Sequence, residues 1–146
     1  MFKLTDENTL LSILPLNHLL ELDCGFFGML YMGAKIVYIK SLNPKELTAT
    51  MKEKQITNMI VVPLVVKMLK NSIEKQIKKQ NAGAQRAFRA MYCIARVMPR
   101  QIRRMMFKPI IDGLGGKMEC FICGGAPLED SVAEFFDRIG VPVFQG

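Results

Sequence analysis

The sequence predicts an α/β protein with a mostly parallel sheet and helices on both of its faces, and three observations lead there. Short apolar runs alternate with longer stretches of helical period from one end of the chain to the other. The apolar run at 118–123 ends in Gly124-Gly125-Ala126-Pro127 just before a helix, which is the strand exit where ligands enter open α/β sheets. Half of the 146 residues are apolar, without an internal repeat or low-complexity tract, so the chain suits one packed domain and not the disordered or fibrous classes.

The elements follow in order. Residues 9–15, Thr-Leu-Leu-Ser-Ile-Leu-Pro, read as a first strand. Residues 19–32 read as a largely buried helix and 35–39 as a short strand of the continuous apolar kind. The stretch 22–39 is the nearest thing to a membrane span, but Asp23 and Lys35 lie in it and Gly33 divides it, so two buried elements explain it better.

Asn43 can cap a helix, Pro44 suits its first position and Glu46 stands three residues after the cap, which predicts a helix to about Lys54. Residues 57–62 form the third strand, broken by Pro63. An amphipathic helix over 64–80 places Val65, Leu69, Ile73 and Ile77 on one face. Helical sequence continues over 82–107, with Ala87, Met91, Ile94, Met98 and Ile102 as its apolar stripe and an interruption at Pro99. Residues 112–116 turn the chain into the strand at 118–123, a helix over 128–139 ends at Gly140, and 141–145 is the last strand. Right-handed crossovers follow as the default.

No basic-then-apolar leader opens the sequence, so it reads as cytosolic. Cys24, Cys93, Cys120 and Cys123 then read as free thiols. Cys120 and Cys123 sit at an odd offset on a strand, which points them to opposite faces and argues against a shared metal. No metal ligand set is assigned.

Five segments carry a resemblance: Leu14-Pro15-Leu16-Asn17-His18, Met32-Gly33-Ala34-Lys35, Val61-Val62-Pro63, Gly124-Gly125-Ala126-Pro127-Leu128 and Gln145-Gly146. In this order and spacing they resemble the adenylate-forming superfamily of acyl-CoA synthetases, luciferases and adenylation domains, and within it long-chain fatty acid:CoA ligases. The resemblance covers essentially the whole chain. It implies a single partial domain over 1–146, a segment of the AMP-binding N-terminal domain of a longer protein, with a basic helical insertion at about 82–108.

The resemblance also implies roles. Gly124, Gly125, Ala126 and Pro127 match the segment that lies along the adenine of ATP, and Gln145 and Gly146 match the opening of a motif that continues with Tyr, Gly, a variable residue, Thr and Glu. His18 matches a position near the acyl carboxylate and the α-phosphate, while Val61, Val62 and Pro63 match a strand end lining the acyl pocket. Without the resemblance, a lone histidine after Pro-Leu-Asn is a helix-start residue satisfied by the backbone, and Gly-Gly-Ala-Pro is a plain strand-to-helix turn. The glycines form neither a Walker loop nor the spaced dinucleotide fingerprint.

In such an enzyme the carboxylate of the acid substrate attacks the α-phosphate of ATP and expels pyrophosphate, with Mg2+ neutralising the phosphates, and the thiol of coenzyme A then displaces AMP from the acyl adenylate. The parent enzyme would therefore take a fatty acid, ATP, Mg2+ and coenzyme A. This chain holds no Ser/Thr/Gly-rich loop ending in Lys, no Thr-Glu motif and no ribose-binding Asp from the family pattern. The expectation is that it does not activate acids alone and holds none of these cofactors tightly.

Charge is strongly localised. Residues 67–108 carry twelve Lys or Arg and one acid, Glu74, within a chain of net charge +7. Arg86, Arg89, Arg96, Arg100, Arg103 and Arg104, interleaved with Met and Phe, suit an anionic membrane surface and a peripheral place on the inner face of a membrane. A solvated helix face is the bland alternative. A basic module binding nucleic acid is a different class, but only Phe88, Tyr92 and Phe107 accompany the charges and no RNA-recognition or zinc-finger signature appears. A stand-alone nucleotide-binding domain without turnover is a third. A parallel sheet without its neighbouring strands would expose apolar surface and self-associate.

Overall fold

The computed structural model describes residues 5–40 and 43–146. Its centre is a five-stranded sheet made of β1 (Thr9–Ser12), β2 (Lys35–Tyr38), β3 (Asn58–Val61), β4 (Cys120–Cys123) and β5 (Val143–Gln145). The order across the sheet is β2-β1-β3-β4-β5, and every pairing is parallel. From β1 the chain steps one way to β2, then returns past β1 and steps the other way through β3, β4 and β5. The direction therefore reverses between β1 and β3, the position where an open α/β sheet forms a crevice beyond its carboxyl ends.

The helices sort with these steps. The first crossover carries a π-helix, Glu21–Phe27, that runs into the four-residue α1 (Gly28–Tyr31). The later crossovers carry α2 (Pro44–Glu53), α3 (Pro63–Lys78), α4 (Ala82–Ile94), a 3-10 turn (Ala95–Val97), α5 (Arg100–Met106), α6 (Lys108–Gly113) and α7 (Asp130–Arg138). One face of the sheet, through Leu11, Met59, Val61 and Phe121, joins these later helices in the main core. The other face, through Leu10 and Ile60, meets Met29 in a much smaller cluster. Steps in opposite directions on opposite faces of the sheet have the same hand.

The two faces are thus covered unequally, and this corrects the expected buried helix at 19–32. Only Glu21, Gly25 and Met29 of the π-helix and α1 are buried, every fourth residue. Leu19, Phe27, Leu30 and Tyr31 stand 53–87% exposed because the helix packs on the sheet as a single layer, with nothing above it among the described residues.

Local chemistry explains the other boundaries. Asn43 caps α2 by accepting from Lys45 N at 3.0 Å, and Pro44 begins it as expected. Asn81 caps α4 by accepting from Ala84 N at 2.8 Å. The stripe expected over 82–107 is displaced: Phe88, Met91, Tyr92 and Ala95 pack on the core, whereas Ile94 and Ile102 are 50% and 44% exposed. Two rings fix this face, since Phe88 stacks on Tyr92 at 5.8 Å and meets Phe107 edge-on at 5.6 Å. The helix α6 lies where the sequence suggested only the approach to a turn; Pro109 near its start and Ile111 in the core fix it.

Three of the six arginines singled out in the basic segment turn inward. Arg100 donates to the carbonyls of Gly140 at 3.1 Å and Glu119 at 2.8 Å. Arg104 donates to Met118 O at 2.6 Å, and Arg103 pairs with Asp137 at 2.8 Å. These side chains tie α5 to the entrances of β4 and β5. Arg86, Arg89 and Arg96 remain exposed.

Candidate active site

The crevice is built from three strand exits. Beyond β1 the chain turns through Pro15, with His18 N donating to Pro15 O at 2.9 Å, and His18 O accepts from Leu22 N at 2.9 Å, so His18 opens the helical segment over the carboxyl end of the sheet. Beyond β3, Val62 and Pro63 lead into α3. Beyond β4, Gly124 N continues the ladder by donating to Val61 O at 3.2 Å, and Gly125, Ala126 and Pro127 emerge exposed.

Gly125 takes φ +86°, a left-handed backbone that glycine adopts freely, and a Cβ there would stand 3.5 Å from His18 Nε2. Two candidates that are 107 positions apart in sequence (125 − 18) thus share one wall. Gly124 is closed from the other side, because a Cβ on it would meet Leu20 Cδ2 at 2.6 Å. Side chains at these two positions would fill the strip of backbone between the imidazole and the end of β5.

Val62, Pro63, Ala126, Pro127 and Leu128 line one cleft of about 370 Å³, with Lys67 and Glu129 paired by an ion contact at its rim. Two of the segments that carry the resemblance therefore meet in space. Val61 does not reach that cleft; its side chain is fully buried in the main core. Gln145 pairs in register with Cys123, and Gly146 N donates to Cys123 O at 3.0 Å, so both lie exposed beside the Gly124–Gly125 strip.

Behind His18 lies a group that sequence reading missed. Glu21 is fully buried, and neither of its carboxylate oxygens has a hydrogen-bond partner. Ser12 Oγ and His18 Nδ1 are buried without partners as well. Glu21 Oε1 packs so closely on Gly25 that a Cβ there would overlap it, and Ile60 Cδ1 closes the same place at 3.2 Å from that Cβ position. Burial pushes the Glu21 carboxyl above its usual range, against the opposing pull of the Ser12 hydroxyl and the His18 charge. The available signal was an acid three residues after a histidine in a largely apolar stretch.

The cysteines divide as their offset requires. Cys120 and Cys123 are both buried, Cys120 accepting from Asn58 Nδ2 on one face while Cys123 joins the main core on the other. Cys24 and Cys93 are exposed, and all four are free. Among the described residues no group of three or more His, Cys, Asp or Glu could hold a metal ion, and no helix is long and apolar enough to cross a membrane.

The family model described as "AMP-binding enzyme" matches residues 1–146, the entire chain. The chain belongs to the AMP-binding enzyme family. Among curated proteins it is similar to "Long chain acyl-CoA synthetase 1" of Arabidopsis thaliana, 28% identical over 145 residues, covering 91% of this chain and 21% of that protein. It is also similar to "Long-chain-fatty-acid--CoA ligase ACSBG2" of Homo sapiens, 26% identical over 159 residues, covering 97% of this chain and 24% of that protein. The chain thus spans between a fifth and a quarter of the length of these relatives.

Solved structures share the fold. The N-terminal domain of FACL13 from Mycobacterium tuberculosis superposes with a TM-score of 0.64 at 16% identity, over 99% of this chain and 28% of its own. ATP-bound MatB from Rhodopseudomonas palustris superposes with a TM-score of 0.59 at 17% identity, over 97% of this chain and 21% of its own.

Proposed function

We propose that this chain is a segment of the N-terminal domain of an ATP-dependent fatty acid:CoA ligase, carrying one wall of its adenine site and part of its acyl pocket. The observation that supports this most is the juxtaposition of His18 with Gly125 at the carboxyl ends of the strands, where the sheet reverses direction. The exposed backbone strip at Gly125 to Pro127 suits a flat base, because no side chain larger than Ala126 or Pro127 stands on it.

In this reading Gly124, Gly125, Ala126 and Pro127 lie along adenine, with Gln145 and Gly146 at its edge. His18 Nε2 faces the reacting carboxylate and α-phosphate, where an N–H donor stabilises developing negative charge. Val62 and Pro63 contribute to the acyl wall; Val61 supports them from the core. Mg2+ and coenzyme A belong to the whole enzyme: the metal would neutralise phosphate charge, and the residues described here offer no carboxylate cluster that would hold it.

We further propose that the chain alone does not form acyl-AMP, since it has no Lys-terminated phosphate loop and no Thr-Glu motif. Residues 82–108 are read as a basic helical insertion within this one partial domain, with Arg86, Arg89 and Arg96 available to an anionic membrane surface. The exposed Leu19, Leu30 and Tyr31 favour self-association through the thinly covered face. Calorimetric titration with ATP and AMP, in the presence of magnesium, tests the nucleotide wall, and an acyl-AMP assay on the chain tests its inactivity. Turnover by the chain alone would refute the second part.

A further inference from the structure

We propose that the cleft between α3, α4 and α7 is a second binding site, for a small aromatic ring that bears a phosphate monoester directly. The cleft encloses about 440 Å³ and shares no lining residue with the one at Val62 to Leu128. It stands apart from the crevice and does not depend on the nucleotide reading.

Each of the three helices turns one stripe of side chains toward it. α4 contributes Phe88, Arg89 and Tyr92, α7 contributes Phe135, and α3 contributes Lys78 from its last turn. Phe88 and Tyr92 follow one another at 5.8 Å with planes inclined by 25°, and Tyr92 and Phe135 do so at 6.1 Å and 32°. The rings therefore make one continuous aromatic wall. Phe135 is its buried floor, while Phe88 and Tyr92 are half-buried and reachable from solvent, so a planar ligand can stack there.

Charge narrows the ligand further. Both acids in the cleft are already engaged: Glu74 pairs with Lys70 at 3.4 Å, and Glu134 accepts from two nitrogens of Arg138. Those two cations are held against the wall as well, Lys70 at 5.8 Å from the Phe135 ring centre and Arg138 at 4.6 Å from that of Tyr92. Lys78 and Arg89 differ from them. Both are exposed and have neither an ion pair nor a side-chain hydrogen bond among the described residues.

Two uncompensated cations beside an aromatic wall suit an anion of charge about −2, which an aryl phosphate carries near neutral pH. A carboxylate would leave one cation unanswered. The guanidinium fork matches phosphate oxygens in pairs, and the lysine adds a point charge. Arg89 follows Phe88 directly and precedes Tyr92 by one turn, so the cation sits at the edge of the ring wall and the anion belongs next to the ligand's ring. Of the exposed Arg86, Arg89 and Arg96, only Arg89 lines this cleft, which gives part of the basic segment a role that the crevice does not use.

The test is an amide NMR titration of the chain with phenyl phosphate, a probe without the base and ribose that the crevice would recognise. Inorganic phosphate, phenol and vesicles of phosphatidylserine and phosphatidylcholine are titrated beside it. Phenyl phosphate should shift the amides of 85–92 and 131–135, and should bind about tenfold or more tightly than inorganic phosphate or phenol. Lys78→Gln and Arg89→Gln should each weaken it by about tenfold, whereas Gly125→Leu should leave it unchanged, which separates this site from the nucleotide wall. Both substituted side chains are exposed, the amide spectrum checks the fold, and either single variant decides the question if the double variant does not fold. Binding that survives the loss of both cations, or inorganic phosphate binding as tightly as phenyl phosphate, would overturn the proposal. Vesicles that shift these amides where phenyl phosphate does not would overturn it too and assign the cleft to a membrane surface.

Discussion

Asn58 donates its side-chain amide to Cys120 Sγ at 3.1 Å, between two residues that are in register on neighbouring buried strands. The same Asn58 accepts at Oδ1 from Asn8 Nδ2 at 2.9 Å and from Thr57 Oγ1 at 2.6 Å, so a single side chain joins β1, β3 and β4 at their amino ends. Asn58→Ala removes one acceptor of the buried Asn8 amide, while Thr57 Oγ1 keeps Thr9 O at 3.2 Å, and should cost about 1–3 kcal/mol. Urea unfolding measures it, and a loss below about 0.5 kcal/mol, the size of an ordinary surface change, would contradict the network's role.

Cys120 has the most perturbed thiol. Burial pushes it up to about 11 from 9.0, with the Asn58 hydrogen bond opposing only in part. The folded chain therefore keeps a proton there that the unfolded chain gives up, so stability is full below pH 9 and falls as pH rises toward 11, by about 2–3 kcal/mol. Cys120→Ala should flatten that alkaline decline in chemical unfolding curves. Near neutral pH the same burial should leave Cys24 and Cys93 open to iodoacetamide while Cys120 and Cys123 react only on unfolding.

Glu21 gives a pH dependence at the other end of the scale. Its carboxyl is raised by burial, so the folded state binds a proton that the unfolded state releases once pH passes the ordinary carboxylate value. Stability from this group is therefore present in acid and lost as pH rises through the folded value. Glu21→Gln should match the wild type in acid and exceed it near neutrality. A variant less stable than the wild type at neutral pH would show that the charged form is the one the fold prefers.

The arginines should separate into two kinds. Arg100→Ala and Arg104→Ala each strip charge-assisted bonds from carbonyls at the entrances of β4 and β5, and each should cost about 1.5–3 kcal/mol. A triple change of Arg86, Arg89 and Arg96 to Ser should leave stability nearly unchanged while weakening binding to anionic vesicles by about 1 kcal/mol per charge. Vesicle cosedimentation reads the second effect, and undiminished binding by the triple variant would remove this face from the membrane reading.

Much of the fold was legible because punctuation and period agree. Pro63 and Gly140 end a strand and a helix, Asn43-Pro44 begins a helix, and the glycines after Cys123 mark the crevice. What escaped depends on partners distant in sequence. The stripe of α4 was misplaced because Phe88 and Tyr92 take their value from Phe107 and Phe135, which no local window contains. Arg100, Arg103 and Arg104 looked like surface charge, yet the carbonyls they cap belong to residues 118–140. Glu21 was overlooked largely for the same reason: Ile60 of β3 closes the space around it, whereas its sequence neighbours place it on a plain helix.

The central claim is that Gly124 to Pro127, backed by His18, forms a nucleotide wall. Calorimetric titration of the chain with ATP and AMP, with magnesium, against Gly125→Leu tests it most directly. At φ +86° the leucine is strained by about 1–2 kcal/mol and its side chain starts 3.5 Å from the imidazole, so it fills the strip without touching the core. The account predicts weak but measurable nucleotide binding by the wild type that Gly125→Leu abolishes while remaining folded. Binding that survives Gly125→Leu unchanged, or none from a folded wild type, would contradict it.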